Sequence, residues 1–432
     1  MSARKIVFKL LIKTEESGAY SKIALDSAFE QNKLNERDKG FAAAMFYGIL
    51  ERRMTLDHVI RAYSSKGFDS LDKSVVQLLR MGLYQLLYMD SVPESAAVNE
   101  TVALASPRQK GFINAVLRSF LRDGCNVNYG ELSGDARLSV EYSCPKWLVK
   151  MWRGRFGEER TLGLLRSSLG RPPLFLRVNT LRCSADELIA ALAEDGITAR
   201  KNELLPDCVE LMGGSPDCCS AYWRGLFHVQ DISSQLCCKI LGAQSGETVL
   251  DMCAAPGGKS FTAAEYMKNE GRLISFDLHE NKLSLIKSGA KRLGLSVISA
   301  RQNDASVFDP DIPQADRVLC DVVCSGLGVI RRKPEIKYKP KQEIMQLPPI
   351  QAEILETAKR YVKRGGRLVY STCTLNEAEN EAVVEEFLRN NPNFSPEEIK
   401  IGIDDDGGFC RNFFPEKTGG DGFFAALLKR NG

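Results

Sequence analysis

The first third of the chain has the hydrophobic spacing of amphipathic helices. Between Leu71 and Tyr88, apolar residues recur every three or four positions, which is the period of one helix face. Similar runs cover residues 41–51, 56–63, 96–105 and 112–121, with Gly or Pro in the breaks. Residues 1–130 are therefore predicted to form an all-α bundle of five to seven helices.

Residues 131–225 have a different pattern, in which short alternating runs follow one helical run. The sequence LFLRVNT, residues 174–180, is rich in strand-forming residues, and residues 185–194 repeat with a helical period. The other predicted elements are a helix over 158–169 and strands over 197–200 and 208–211. This mixture predicts a small α/β domain.

From residue 226 to residue 432, short apolar runs alternate with helical runs, the pattern of a doubly wound α/β sheet. The predicted strands cover 248–252, 272–276, 297–300, 317–320, 367–370, 409–414 and 423–428. The predicted helices cover 262–267, 280–293, 349–362 and 378–388. Gly419 and Gly420 indicate a closing hairpin, which makes the last strand antiparallel.

The composition is that of an ordinary globular protein. Of 432 residues, 44% are hydrophobic, and 58 Lys and Arg against 55 Asp and Glu give a net charge of +3. No apolar run reaches the roughly 18 residues of a membrane span, and Lys9 and Lys13 interrupt the N-terminal apolar stretch. We therefore expect a cytoplasmic protein without a membrane anchor. Residues 1–130 hold 18 basic against 14 acidic residues, which indicates a polyanionic partner.

The chain contains thirteen cysteines and three histidines, but no C-x-x-C and no closely spaced histidine pair. A zinc site requires such paired ligands, so no metal is predicted. A disulfide scaffold is also not expected in a chain of this length without a secretion signal.

The sequence VLDMCAAPGGKS links the first strand of the C-terminal domain to a helix. Cys253 stands where a P-loop has its first Gly, and the G-x-G-x-x-G spacing is missing, which excludes both phosphate-binding turns. Asp277 ends the next strand, where a carboxylate accepts hydrogen bonds from ribose hydroxyls. Asp304 and Asp321 follow the third and fourth strands. Acids at successive strand ends predict a nucleoside-type ligand.

Cys324 and Cys373 follow the fourth and fifth strands, so both are predicted at the ligand edge of the sheet. A thiolate that adds to carbon 6 of a pyrimidine enables carbon 5 to attack an electrophilic methyl group. A base must then remove the carbon-5 proton, and a carboxyl near ring nitrogen 3 stabilises the charge on the ring. Asp321 is placed for the carboxyl role, and Lys259 can help to position the base. The residues alone do not decide which cysteine attacks.

Five segments resemble the Nop/Sun family of S-adenosylmethionine-dependent RNA cytosine-5 methyltransferases. They are DMCAAPGGKS, FDLHENKL, DVVCSGLGVIRRKPEIKY, YSTCTLNEAENE and GFFAALLKR. Two N-terminal stretches, LNERDKGFAAAMFYGILERRMTLDHVI and AAVNETVALA followed by KGFINAVLR, resemble a NusB-type RNA-binding helical domain. The resemblance implies a Rossmann-like class I methyltransferase domain over 226–432, an RRM-like middle domain over 131–225, and small-subunit (16S) ribosomal RNA as substrate.

By this resemblance, Cys373 is the nucleophile and Cys324 assists product release, with Asp321 and Lys259 beside them. The implied cofactor, S-adenosylmethionine, is bound by the loop after the first strand and by the acids at the strand ends. These residues are Cys253, Ala254, Ala255, Pro256, Gly257, Gly258, Lys259, Asp277, Asp304 and Asp321. The family usually has Pro before the fourth-strand cysteine. Val323 occupies that place here, which is expected to leave the loop less rigid.

The sequence RRKPEIKYKPK, residues 331–341, carries six basic side chains and one Glu. Beside a nucleic-acid site, such a run predicts phosphate contacts and a tyrosine that stacks on a base. The predicted RNA-binding residues are Arg331, Arg332, Lys333, Lys337 and Tyr338. Two alternatives stay open, namely transfer RNA as substrate and an RNA-binding assembly factor with an inactive methyltransferase domain. The chain is expected to be a monomer.

Overall fold

Segments that are distant in sequence combine into two units. The computed structural model describes residues 2–17, 21–216, 219–402 and 408–432. The first unit contains Met1–Gly170 together with Ile330–Tyr338, and the second contains Arg171–Val329 together with Lys339–Gly432. The chain therefore passes between the units three times.

The first unit is helical, as its hydrophobic periodicity predicts. Its helices are α1 Ala3–Ser17, α2 Ser21–Asn32, α3 Glu36–Glu51, α4 Arg53–Tyr63, α5 Lys73–Tyr88, α6 Glu94–Ala103, α7 Pro107–Arg122, α8 Gly134–Glu141 and α9 Lys146–Ser167. The apolar face of α5, with Leu78, Leu79 and Leu83, is fully buried in the core of this unit. Helices α8 and α9 extend the unit beyond residue 130, where the sequence pattern placed a domain border.

The second unit begins with a small α/β layer. Its elements are β1 Leu174–Val178, α10 Ala185–Glu194, β2 Thr198–Lys201, β3 Cys208–Gly213, α11 Ser220–Trp223 and β4 Phe227–Val229. The four strands pair antiparallel in the order β2-β3-β1-β4. Strand β4 has three residues, which is too short for a periodic signal, and the sequence pattern did not predict it.

A larger sheet forms the rest of this unit. Its elements are α12 Ile232–Leu241, β5 Thr248–Asp251, α13 Gly258–Tyr266, β6 Arg272–Asp277, α14 Glu280–Leu293, β7 Ile298–Gln302, β8 Ala315–Asp321, α15 Lys341–Met345, α16 Leu347–Ala358, β9 Val362–Thr372, α17 Glu381–Asn390, β10 Phe394–Pro396, β11 Cys410–Phe413, α18 Pro415–Thr418 and β12 Phe423–Arg430. The strand order is β10-β12-β9-β8-β5-β6-β7, and β11 also pairs with β12.

The central strands β9, β8, β5, β6 and β7 run parallel, and β12 is antiparallel to β9. Both faces of the sheet are covered. Val249, Leu273 and Leu319 belong to one buried cluster, and their neighbours along the strands belong to the other. This confirms the predicted doubly wound sheet with an antiparallel last strand. Within the described residues, no helix is long and apolar enough to cross a membrane.

The small sheet packs through both of its faces. Leu176 of β1 points toward Leu188 of α10, within one buried cluster. Side chains alternate along a strand, so the next residues point to the opposite face. There, Phe175 joins the core of the large sheet, and the fully buried Arg177 donates from Nε to Glu265 Oε2 of α13 at 2.9 Å. The large-sheet layer thus covers the face through which an RRM-type sheet stacks bases.

The Arg177–Glu265 ion pair ties α13 to the small sheet. Glu265 is buried, which raises the pKa of its carboxyl to about 7, while the charge of Arg177 opposes the rise. Glu265 lies in the last turn of α13, so this pair fixes the end of that helix against β1. Removing one partner leaves a buried charge uncompensated.

We predict that Arg177→Met lowers the free energy of unfolding by about 3–5 kcal/mol, because Glu265 loses its partner. The loss should grow as pH rises above about 7, because Glu265 then ionises in the folded wild type, whereas without the charge of Arg177 its pKa is higher still and the carboxyl resists ionisation. Denaturant unfolding between pH 5 and pH 8 measures this. The double variant Arg177→Met/Glu265→Gln should recover part of the loss. A loss as small as that of Arg200→Met, which breaks an exposed ion pair with Glu210, would contradict the prediction.

Candidate active site

The predicted acids gather at one edge of the large sheet. Asp251, Asp277 and Asp321 are the last residues of β5, β6 and β8, which are neighbours in the order β8-β5-β6. Asp304 follows β7, the next parallel strand. The carboxyl ends of parallel strands form the edge at which open α/β sheets bind ligands. The acids expected at successive strand ends therefore lie at one edge of the sheet.

The loop from residue 252 to residue 257 lies across this edge. Ala254 N–H donates to Phe276 O at 2.7 Å, and Ala255 N–H donates to Asp277 Oδ2 at 3.3 Å, so the loop is tied to the end of β6. Gly257 has a φ of 111°, and a Cβ there would lie 2.5 Å from the Phe261 ring. Only glycine satisfies both conditions.

Helix α13 begins at Gly258, directly after this loop and four residues earlier than the periodicity predicted. The first N–H groups of a helix have no partner within it, and they carry the positive end of the helix dipole. Ser260 Oγ donates to Asp251 Oδ2 at 2.7 Å and lies 2.7 Å from Ser275 Oγ. Burial raises the pKa of Asp251 to about 7. Asp251 therefore ties the end of β5 to the first turn of α13.

Asp277 and Asp304 lie at the same edge with different exposure. The buried Asp277 accepts from His279 N–H at 3.0 Å through the oxygen that does not face the loop. The exposed Asp304 accepts from the Ser306 hydroxyl at 2.7 Å and from its N–H at 2.9 Å, and these hydrogen bonds lower the pKa of the carboxyl. Asp304 is therefore an ionised acceptor near pH 7.

These residues fit a nucleoside that carries a carboxylate. Helix-terminal N–H groups at Gly258 and Lys259 suit an anionic group, and the Asp277 carboxylate suits ribose hydroxyls. Ala254 and Ala255 give the loop small side chains, so its backbone can approach a ligand closely. The described residues contain no group of three His, Cys, Asp or Glu side chains that could hold a metal ion.

The structure brings Cys324 and Cys373 together. Their sulfur atoms are 3.2 Å apart, and both side chains are partly buried. The hydrogen bond with Cys373 raises the pKa of Cys324 well above its ordinary value, and burial adds to the effect. Cys324 is therefore held as a neutral thiol whose S–H can point at the sulfur of Cys373.

A buried carboxylate holds the two cysteine loops. Glu379 is fully buried and accepts four hydrogen bonds. Ser325 donates from its N–H at 2.8 Å and from its hydroxyl at 2.5 Å, Asn376 Nδ2 donates at 2.8 Å, and Gln351 Nε2 donates at 3.0 Å. The Ser325 hydroxyl also lies 2.8 Å from Thr374 Oγ1. Ser325 follows Cys324 and Thr374 follows Cys373, so one anion fixes both loops.

Val323 does not leave its loop unsupported. Its carbonyl accepts from Gln351 Nε2 at 2.9 Å, and the same amide group bonds Glu379. Cys324 is thus flanked by hydrogen bonds on both sides, at Val323 O and at Ser325 N. The Val323 side chain itself is 53% exposed. Sequence reasoning quoted the motif that contains Glu379 but gave this residue no role.

Lys259 and Asp321 form an ion pair at the same edge. Lys259 Nζ donates to Asp321 Oδ2 at 2.7 Å, and the Ser371 hydroxyl donates to Asp321 Oδ1 at 2.9 Å. Burial disfavours the charge of Lys259, but the Asp321 carboxylate outweighs it, and the pKa of the amine is raised. Lys259 therefore carries a positive charge at neutral pH.

The predicted RNA-binding residues belong to the helical unit. Residues 330–338 belong to the helical unit, and Lys337 is fully buried there, with Nζ donating to Glu51 O at 2.7 Å. Tyr338 donates its hydroxyl to Leu50 O at 2.9 Å. The expected RNA contact of Lys337 needs correction, because its amine is buried and holds the segment. The side chain of Tyr338 is partly exposed, and its RNA contact stays a prediction. Arg331 and Arg332 are partly buried, and Lys333 is exposed.

The fold and the site define a class of protein. A doubly wound sheet with an antiparallel last strand, a glycine-containing loop before α13 and acids at the strand ends is the arrangement of a Rossmann-like methyltransferase. Comparisons with known proteins identify the family. Residues 238–429 match the family described as 16S rRNA methyltransferase RsmB/F, residues 1–122 match the NusB family, and residues 144–216 match the ferredoxin-like domain of RsmF/B-like methyltransferases.

Whole-chain relatives agree with the domain matches. The chain is 38% identical to the probable ribosomal RNA small subunit methyltransferase B of Bacillus subtilis (strain 168), over 100% of this chain and 99% of that protein. It is 34% identical to ribosomal RNA small subunit methyltransferase B of Escherichia coli O1:K1 / APEC, over 92% of each. The chain belongs to the RsmB/F methyltransferase family. The resemblance to Nop/Sun proteins with a NusB-like domain is confirmed.

Solved structures show the same architecture. The crystal structure of PH0851 superimposes with a TM-score of 0.81 at 28% identity, covering 99% of this chain and 98% of that chain. A methyltransferase homologue from Pyrococcus horikoshii has a TM-score of 0.61 at 25% identity, covering 69% of this chain and 100% of that chain. The C-terminal Rossmann-like fold expected from the sequence is thereby confirmed.

We predict that Glu379→Gln lowers methyltransferase turnover by about 100-fold. The new amide nitrogen would face hydrogen-bond donors that now meet a carboxylate oxygen, so the loops that carry the two thiols would shift. Initial rates with saturating RNA measure this. Glu386→Gln, an exposed change on α17, is the matched control and should behave as the wild type. A wild-type rate for Glu379→Gln would show that the two loops keep their places without this anion.

Burial lowers the pKa of Lys337 to about 8, so we predict that this residue makes the free energy of unfolding depend on pH. Between pH 8 and about 10.4, the model-peptide value, the unfolded chain binds more protons than the folded one, and stability rises with pH. The free energy of unfolding of the wild type should therefore increase relative to that of Lys337→Met across this range. Lys333→Met, at an exposed position, should show no such trend. A constant difference between wild type and Lys337→Met would mean that Lys337 is solvated.

Proposed function

We propose that this protein methylates carbon 5 of a cytosine in small-subunit (16S) ribosomal RNA, with Cys373 as the nucleophile. The observation that carries the proposal is the 3.2 Å approach of Cys324 to Cys373 at the ligand edge of the sheet. Two thiols in contact beside a nucleoside-type site suit a reaction that adds a sulfur to a pyrimidine and later removes it.

The raised pKa of Cys324 supports the division of roles between the thiols. A neutral Cys324 can donate its S–H to the sulfur of Cys373, and we assign the attack to the Cys373 sulfur. The Cys373 sulfur forms a bond to carbon 6, and the electron pair of the C5–C6 double bond becomes available at carbon 5.

Product release needs a base next to the adduct. After methylation, the base takes the carbon-5 proton, the C5–C6 double bond re-forms, and Cys373 leaves as the thiolate. Once the Cys373 sulfur is bonded to carbon, the hydrogen bond and the charge that raise the pKa of Cys324 are lost. Cys324 can then release its own proton to solvent and, as a thiolate, take the carbon-5 proton. The Glu379 carboxylate keeps Cys324 in reach through Ser325.

The Lys259–Asp321 pair supplies the polar contact to the ring. Lys259 holds one oxygen of Asp321 and Ser371 holds the other, so the carboxyl is fixed beside the thiols. We assign to this pair the stabilisation of the charge that moves onto the ring near nitrogen 3.

We propose S-adenosylmethionine as the cofactor, which supplies an electrophilic methyl group when it is bound. The N-terminus of α13 at Gly258 and Lys259 would hold its carboxylate. The Asp277 carboxylate would accept hydrogen bonds from its ribose, and the loop from Cys253 to Gly257 would line its path. Asp304, an exposed anion at the next strand, would bind the part of the cofactor beyond the ribose.

The RNA substrate is assigned from the relatives. The two whole-chain relatives are named as small-subunit ribosomal RNA methyltransferases and align over at least 92% of this chain. The NusB match at residues 1–122 adds a helical domain of the kind expected to bind RNA. We propose that Arg331, Arg332 and Lys333 contact RNA phosphates, and that the reaction takes place in the cytoplasm.

The proposed roles predict distinct outcomes for the two thiols. Wild type, Cys373→Ala and Cys324→Ala are incubated with methyl-labelled S-adenosylmethionine and unmodified 16S rRNA, and RNA and protein are resolved on a denaturing gel. Wild type should label the RNA, Cys373→Ala should label nothing, and Cys324→Ala should accumulate a covalent RNA–protein adduct. Cys320→Ala, a buried cysteine on β8, is the control and should retain labelling.

Three results would overturn parts of this proposal. An adduct from Cys373→Ala would exchange the roles of the thiols. Labelling of transfer RNA but not of 16S rRNA would change the substrate. Binding of cofactor and RNA by the wild type without any labelled product would favour the assembly-factor alternative.

A further inference from the structure

The middle α/β layer has an exposed aromatic side chain that lies beside several arginines. Trp223 is 70% exposed, and Leu181 is 40% exposed. They lie with Arg182, Arg224 and Arg292 in a surface that we call the Trp223 patch. The patch combines the end of α11, the turn after β1 and the last turn of α14, which all belong to the second unit.

Two arginines of the patch, Arg182 and Arg292, are held in place by backbone carbonyls. Arg182 Nη1 donates to Arg224 O. A Cβ added at Gly294 would lie 2.5 Å from Arg182 Nη2, so this guanidinium lies against bare backbone. Arg292 Nη1 donates to Tyr222 O at 2.7 Å and to Phe227 O at 3.0 Å, and its guanidinium carbon is 3.9 Å from the centre of the Tyr222 ring.

These charges have no carboxylate partner within the described part of the chain. No Asp or Glu oxygen there lies within 4.0 Å of a guanidinium nitrogen of Arg182, Arg224 or Arg292. Asp195, whose charge is felt by Arg224, accepts hydrogen bonds from Ser220 instead. Burial lowers the pKa of Arg292, Tyr222 opposes that effect, and the positive charge of Arg182 lowers the pKa further. An anion at the patch would relieve this repulsion.

Resting on the function proposed above, we infer that the Trp223 patch binds a single-stranded segment of the RNA substrate, with a base stacked on Trp223 and phosphates on Arg182 and Arg224. Exposed aromatic rings beside arginines are how proteins bind unpaired nucleotides. The sheet face that an RRM would use is covered here, because Phe175 and Arg177 are buried against the large-sheet layer. An RNA contact of the middle layer therefore has to use another surface.

A protein partner fits the patch less well. Protein interfaces have an apolar core with few charges, and the patch has one aromatic side chain and one leucine among three arginines. Three clustered cations that pair with no carboxylate among the described residues match a phosphate backbone.

The test measures binding of the full chain to unmodified 16S rRNA at several salt concentrations. Trp223→Ala should weaken binding about tenfold, and Trp223→Phe should retain most of the affinity, because its ring still stacks. The double variant Arg182→Gln/Arg224→Gln should reduce the slope of log affinity against log salt by about 1.4, since each phosphate contact on a single strand contributes about 0.7. In the methylation assay, both changes should raise KM and leave kcat unchanged.

Matched controls separate a local effect from a general one. Met212→Ala removes another exposed apolar side chain of the same layer, and Arg200→Gln removes an exposed arginine that is paired with Glu210. Neither should change affinity or salt dependence. Unchanged binding and an unchanged slope in the Trp223 and arginine variants would overturn the inference. So would a loss of methylation on assembled small subunits together with normal activity on naked rRNA, which would assign the patch to a protein.

The inference and the proposed function can fail separately. If wild type binds 16S rRNA through Trp223 but transfers no methyl group to cytosine, RNA binding by the patch is supported and the proposed reaction is contradicted. If wild type methylates cytosine and the patch variants bind as wild type does, the proposed reaction is supported and RNA binding by the patch is contradicted.

Discussion

The candidate active site depends on one buried anion. Glu379 accepts hydrogen bonds from three side chains and one backbone N–H, and these donors belong to the segments around Cys324 and Cys373 and to α16. The two loops follow the paired strands β8 and β9 and share a backbone hydrogen bond from Gly328 N–H to Cys373 O at 3.0 Å, and Glu379 adds the side-chain bonds that complete this connection. A fully bonded buried carboxylate is costly to displace, since any movement leaves donors unsatisfied. The contact between the two sulfur atoms is thus a property of a network.

The same network explains how this chain accommodates Val323. A proline would restrict the backbone before Cys324 through its ring. Here the restriction comes from hydrogen bonds at Val323 O and Ser325 N, both of which lead to Gln351 or Glu379. The loop is ordered by its surroundings instead of by its own sequence.

Hydrophobic and polar patterns predicted most of the elements and most of the candidate site residues. They did not predict features that depend on short segments or on the surroundings of a charge. Strands such as β6 are buried on both faces, so their apolar runs are visible, and acids at their ends are easy to place. Strand β4 is too short for any period. The charge run containing Lys337 predicted phosphate contacts, but charge in a sequence does not show what surrounds it, and a buried lysine bonded to a carbonyl has the same letter as an exposed one. Glu379 was missed for the same reason.

The helical unit includes residues 330–338, which come long after its other helices in the chain. Lys337 and Tyr338 donate to the carbonyls of Glu51 and Leu50 at the end of α3, and these groups are made almost 290 residues earlier in the chain. During synthesis, which proceeds from the N-terminus, the helices through α9 emerge well before the segment that completes their hydrogen bonding. Neither unit is a continuous stretch of chain, so no single cut releases an intact helical unit. The N-terminal helices reach their final packing only after much of the catalytic unit has also been made.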